Sequence, residues 1–144
     1  MNLLPYEDFR HALQPGEHEA FYFTFTAPDG GTFGILRTLF GQDSLLEMVV
    51  LRSGDHTLIH QSSGVPAPDL PPTDASGPAL RLLCEKPWEH WHCSFQGGAR
   101  DARGQTFPLS LELEFIALAR PERYIFGPYT QAQQDGRLRG RIGV

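Results

Sequence analysis

Apolar and polar residues alternate with a period of two along most of this chain. In Phe21 to Phe40, FYFTFTAPDGGTFGILRTLF, two strand-like runs flank a turn cluster of Ala27, Pro28, Asp29, Gly30 and Gly31. Phe21, Phe23 and Phe25 fall on one side, and Tyr22, Thr24 and Thr26 on the other. Pro presets one turn dihedral and Gly supplies a positive φ, so the stretch predicts a β-hairpin. LLEMVVLR over Leu45–Arg52 predicts a third strand and Thr57–Gln61 a fourth. ALRLLCE (Ala79–Glu85) and Trp88–Gln96 follow as strands. LSLELEFIA has the clearest alternation, with Leu109, Leu111, Leu113 and Phe115 against Ser110, Glu112 and Glu114. That is the pattern of a sheet with one buried and one solvated face. In RLRGRIGV, Arg137, Arg139 and Arg141 share one face, and Leu138, Ile142 and Val144 the other. Laid beside the Glu112 and Glu114 face, the Arg row would form cross-strand charge pairs.

Between these runs, Ser62–Pro78 carries five prolines and reads as a loop. Gly97–Thr106 reads as a polar turn, and Pro121–Gly136 as a long aromatic loop. Pro5–Leu13 could form one short helix, with Pro5 at its first position and Pro15-Gly16 stopping it. Seven or eight strands, at most one helix and no fixed-period repeat predict an all-β fold: an antiparallel meander curled into a barrel or half-barrel. The expected organisation is an N-terminal arm or short helix over 1–16, then one β-domain over 17–144. The last strand would leave an edge, which its Arg row could protect or a partner could cover.

A length of 144 residues supports one domain with a core that needs no disulfides. Hydrophobic residues at 40% and charged residues at 20% place it in the globular class. A net charge of −5 gives no basic footprint for nucleic acid. Two cysteines, Cys84 and Cys93, with no CxxC, are too few for a disulfide framework. No secretory signal and no apolar run near ~18 residues is visible, so no membrane span and a cytoplasmic location are expected.

The sharpest candidate for chemistry is Trp88-Glu89-His90-Trp91-His92-Cys93. On a strand, His90 and His92 share a face about 7 Å apart, close enough to share a metal ion. Two ligands do not make a site, and no spacing rule selects a third, so no metal is expected. Trp91, Cys93 and Phe95 on the opposite face are core, or else a pocket wall suited to a flat or aliphatic ligand. Arg37 and Glu47 interrupt apolar strands. Inside a barrel they would pair or meet a polar ligand group; the simpler expectation is that each faces water. GxSxG, a P-loop, GxGxxG and HExxH are all absent. Tyr22, Arg37, Glu47, His90 and Trp91 are therefore the candidate ligand-binding residues.

An order of segments now stands out: an acidic and histidine-containing opening before FYFTFTAPDGG, then FGILRTLF, ALRLLCEKPWEHWHCSFQGG, LSLELEFIA, a loop reaching YTQ, and a G-x-L-x-G-x-I strand. Over nearly all of 17–144 it resembles the N-terminal half of the lipocalin-like proteins related to hydroxyneurosporene synthase, a carotenoid hydratase. The resemblance implies two consecutive β-barrel-like domains with a ligand pocket within or between them. It implies cofactor-free chemistry of the hydratase or cyclase kind, which needs a shaped apolar pocket and one or two proton donors. The family's second half usually carries an Arg-Asp-His-Ser-Trp-Gly type segment, and this chain ends before one. The leading expectation is thus a lipocalin-like domain that binds a hydrophobic small molecule (isoprenoid, steroid or fatty-acid-like), without catalysis alone and without a cofactor. The alternatives are an enzyme domain of the hydratase or cyclase kind completed by a second β-domain, with His90, Arg37 or Glu47 as acid or orienting groups, and a structural module that dimerises through the terminal strand.

Overall fold

Strand follows strand because turns with fixed chemistry punctuate period-two runs. In the computed structural model, which describes residues 8–126 and 129–143, the order is β1 (Glu19–Thr26), β2 (Thr32–Phe40), β3 (Leu45–Ser53), β4 (His56–Gly64), β5 (Leu80–Lys86), β6 (His90–Arg100), β7 (Thr106–Ala117), β8 (Glu122–Phe126), β9 (Tyr129–Gln133) and β10 (Gly136–Gly143). The first hairpin closes as its sequence predicts. Ala27 N–H donates to Thr32 O at 2.8 Å, Gly31 N–H donates to Asp29 Oδ1 at 2.8 Å, and Gly30 takes φ 73°.

Eight strands form one antiparallel sheet in the order β1-β2-β3-β4-β6-β7-β10, with β5 also pairing β6, and this sheet curls into a nearly closed barrel. β8 and β9 form a separate two-stranded ribbon. The expected aromatic loop over 121–136 is therefore a hairpin leading into β10. Asp8 has 3₁₀ geometry and residues 9–13 carry no helix; the first part of the expected helix, 5–7, and Val144 lie outside the described residues. β6 runs on to Arg100, so the turn expected to start at Gly97 is shorter, spanning 101–105.

The core is filled from inward rows on facing walls. Leu36, Phe40, Val49, Leu51, Leu80, Leu82, Trp91, Cys93, Phe95, Leu109, Leu111 and Leu113 are all buried. Phe21, Phe23 and Phe25 of β1 pack against them half-buried, Phe23 with its ring 5.4 Å from Phe115.

The barrel has one irregular side. β4 and β6 share only the Ile59–Arg100 pair before they diverge. The opening is filled by β5 and the chain that precedes it. Gly77 N–H donates to Leu80 O at 2.7 Å, Ala75 N–H to Leu82 O at 2.9 Å, and Cys84 N–H to Thr73 O at 2.9 Å. The stretch 73–77 is thus hydrogen-bonded rather than a free loop, and Asp74, Ala75 and Ser76 are buried. Thr38 Oγ1 reaches it from β2, donating to Ala75 O at 2.8 Å.

Candidate functional site

Leu45, Glu47, Val49 and Leu51 form the inward row of β3, and all four are buried. Glu47 sits there with none of its side chain exposed, so the expectation that it faces water is overturned. A carboxylate in that place must find donors nearby. Its Oε1 accepts the backbone N–H of Ala79 at 2.8 Å and of Leu80 at 2.9 Å. Its Oε2 lies 2.6 Å from His60 Nε2. His60, inward on β4, packs against the Phe95 ring with centroids 4.7 Å apart and planes tilted by 52°, and its Nδ1 lies 3.1 Å from Gly98 O.

Proton positions follow from the partners. A backbone carbonyl can only accept, so His60 Nδ1 carries a hydrogen. Glu47 Oε1 is taken up by two donors. One proton therefore lies between Glu47 Oε2 and His60 Nε2, and the pair is neutral as a unit. The amides of residues 79 and 80 and the carbonyl of Gly98 lie where β4 and β6 separate. Glu47 and His60 supply the hydrogen bonds that the divergence leaves open, and both imidazole nitrogens are engaged in doing so.

A second buried cluster holds Trp91, whose side chain the core encloses. Trp91 Nε1 donates to Asp8 Oδ2 at 2.9 Å, and the same oxygen accepts Trp88 N–H at 2.7 Å and faces Cys84 Sγ at 3.8 Å. Burial raises the Asp8 carboxyl above its ordinary 3.8, although these hydrogen bonds oppose the rise. Burial first, and the Asp8 charge second, pushes the Cys84 thiol up to about 12. Burial alone takes Cys93 to about 12. Both cysteines are free thiols. Trp88 holds φ 62°, rare for a bulky residue, and Gln134 Nε2 donates to its carbonyl at 2.6 Å.

The remaining candidates lie on the outer surface. Tyr22 and Arg37 are register partners on β1 and β2, both exposed. His90 and His92 share the outer face of β6, as their spacing predicts. Each turns toward its own carboxylate: His90 Nε2 is 3.9 Å from Glu114 Oε2, and His92 Nε2 is 3.9 Å from Glu112 Oε1. These separations exceed hydrogen-bond length. Among the described residues no group of three or more His, Cys, Asp or Glu is placed to hold a metal ion. The acidic row of β7 faces the Arg row of β10 in register, Arg139 opposite Glu114 and Arg141 opposite Glu112, with Arg139 Nη2 3.2 Å from Glu114 Oε2. Of the five sequence candidates, Glu47 and Trp91 thus face the interior, and Tyr22, Arg37 and His90 face outward. His60 was not among them. Its signal was its inward parity with Leu58 on the strand next to a core-facing Glu.

Two open clefts mark the surface. One, of about 280 Å³, lies among Gly30, Gly31, Phe33, Arg52 and Gly54; the other, of about 580 Å³, lies along Gln96–Gly98, Thr106, Pro108–Ser110 and Gly143. The topology also leaves an apolar seam. β1 and β10 end the strand order and flank the seam of the barrel. Their inward residues Phe23, Phe25 and Leu138 are only half-buried, and Ile142 is 39% exposed. Among the described residues no helix is long and apolar enough to cross a membrane. No family model, no curated protein and no solved structure matches the chain.

Proposed function

We propose that the chain is a lipocalin-like β-domain that binds a hydrophobic small molecule of the isoprenoid, steroid or fatty-acid kind, without converting it alone. The observation that carries this reading is the seam. Between β1 and β10 the inner wall presents Phe23, Phe25, Leu138 and Ile142 half-buried or exposed. An elongated apolar molecule laid along this wall would cover surface that otherwise meets water, at about 25 cal/mol per Å². The Glu47–His60 pair argues against catalysis by this chain, because neither ring nitrogen is free to take or give a substrate proton.

Trp91 is the natural reporter, with its ring 5.7 Å from Phe23 and 5.9 Å from Phe21. In a Trp88→Phe background, retinol, a steroid or palmitate titrated into the protein is expected to change Trp91 emission saturably. Ile142→Glu, at an already exposed position, is expected to weaken the response without changing the circular dichroism. Unchanged emission together with no ligand retained in equilibrium dialysis, from a folded protein, would overturn the reading.

A further inference from the structure

β10 ends the strand order of the sheet, and among the described residues it pairs only with β7. In an antiparallel ladder, alternate residues direct their N–H and C=O groups away from the neighbouring strand. This edge therefore carries a row of unpaired backbone donors and acceptors. Every residue of β10 except Leu138 is exposed, so the edge is open to solvent. The strand has two different faces. Leu138 and Ile142 continue the inward row, opposite Phe115 and Leu111 of β7, while Arg137, Arg139 and Arg141 point outward. Arg139 is paired with Glu114 at 3.2 Å. Arg137 stands opposite Ile116, which offers no charge, and Arg141 stands opposite Glu112, whose Oε1 faces His92. Among the described residues neither Arg137 nor Arg141 makes an ion pair.

We infer that β10 takes an extended acidic segment of a partner protein as an added strand. In strand addition the main chain supplies affinity, and alternate side chains supply specificity. Outward positions of the added strand fall opposite Arg141, Arg139 and Arg137, with Cβ atoms about 5 Å away. Arg137 and Arg141 lie ~14 Å apart along the strand, so acids four residues apart meet both unpaired guanidinium groups. The position between the acids falls opposite Arg139, already held by Glu114, and needs only a neutral residue. Positions opposite Gly140 and Leu138 turn inward and take apolar residues. The segment is thus acid–apolar–neutral–apolar–acid, a pattern that reads the same in both directions. Signs then alternate from strand to strand across the outer face: Glu on β7, Arg on β10, acid on the partner.

A second copy of the chain fits this edge poorly. An antiparallel β10–β10 pair centred on Arg139 would face Arg139 with its own copy and Arg137 with Arg141, and like charges directly opposite destabilise a ladder. β1 of a second copy would bring Ala20, Tyr22, Thr24 and Thr26 to the outer face, with no acid for Arg137 or Arg141. The Arg row thus turns away the chain itself and selects an acidic strand, repulsion and attraction both shaping the choice. Backbone edge and outward charges carry this interaction, so it stands independently of a small molecule in the seam.

Fluorescence anisotropy with a labelled peptide, Thr-Glu-Val-Thr-Val-Glu-Thr, tests the inference. Saturable binding by the wild-type chain is expected. Arg137→Glu combined with Arg141→Glu, both at exposed positions, should weaken binding about tenfold or more with unchanged circular dichroism. That double variant should instead prefer the peptide with Lys in place of both Glu. N-methylating the central Thr and the Val after it keeps every side chain and removes a ladder donor whichever of the two faces β10. It should cost a similar factor. No binding across a titration reaching millimolar protein would overturn the inference. So would binding that survives N-methylation, which marks a charge contact without strand pairing, and so would binding that the double variant leaves unchanged.

Discussion

Glu47 Oε2 and His60 Nε2 lie 2.6 Å apart inside an apolar wall, with the Glu47 side chain wholly buried. Truncation to Glu47→Ala strips the acceptor from two backbone amides and from His60 at once. A loss of about 3–5 kcal/mol is expected, roughly 10 °C in Tm. Glu47→Gln keeps the network closed in another protonation state. Its amide oxygen accepts from residues 79 and 80, its NH₂ donates to a neutral His60, and Nδ1 still donates to Gly98. Its cost should stay under about 2 kcal/mol. Urea unfolding of the two variants checks the order, and equal losses would count against the assigned protons.

Gly77 leaves no room for a side chain. A Cβ there would sit 2.2 Å from Glu47 Oε1, an atom fixed by two backbone amides. Gly77→Ala should destabilise by about 1–3 kcal/mol. In a Glu47→Ala background the Oε1 clash is gone while the Cβ of residue 47 stays 2.8 Å from the new methyl, so the cost should shrink only in part. A double-mutant cycle showing strict additivity would contradict the contact.

Asp8 ties folding to pH. Its carboxyl is raised from 3.8 by burial, so the folded chain holds that proton more tightly than the unfolded one. The associated stability is complete below pH 3.8 and is lost as pH rises through the raised folded value. Asp8→Asn keeps an acceptor for Trp88 N–H and Trp91 Nε1 but cannot ionise. Relative to wild type, the variant should gain stability as pH rises above 3.8, then level off. Denaturant titrations at stepped pH read this directly, and a flat difference would refute it.

Both thiols should be slow. Cys84 and Cys93, each pushed from 9.0 to about 12, carry roughly a thousandfold less thiolate at pH 8 than an ordinary cysteine. Ellman's reagent should therefore label the folded protein far more slowly than the unfolded chain. Asp8→Asn removes a neighbouring charge from Cys84 and should hasten that residue alone. Equal acceleration at Cys93 would point to loosening of the fold instead.

Most of the sheet was legible because period two survives in the sequence. The β1–β2 hairpin, β3 and the opposed Glu and Arg rows of β7 and β10 all follow from residue parity. β8 and β9 were not legible, since Pro121, Gly127 and Pro128 bracket the aromatic run with turn signals. Glu47 was misplaced although its parity was available. It shares the row of Leu45, Val49 and Leu51, and only the absence of a visible partner favoured water. That partner, His60, is inward on the next strand, while the donors at 79 and 80 come from 32 and 33 residues away. Such distant donors leave no local pattern. For the same reason the split between β4 and β6 could not be read, because pairing partners separated by a long proline-rich stretch are set by packing alone.

The single Ile59–Arg100 pair between β4 and β6 has a kinetic consequence. β1 to β4 form one uninterrupted meander of near-neighbour hairpins, and so do β6 and β7; each can zip before it meets the other. Joining them closes one long loop, whose entropy is recovered only when Glu47 reaches residues 79 and 80 and His60 reaches Gly98. These contacts belong to the last step of assembly. Weakening them should accelerate unfolding while leaving the refolding arm of a chevron plot almost unmoved, so the buried pair acts as the latch that sets the lifetime of the closed barrel.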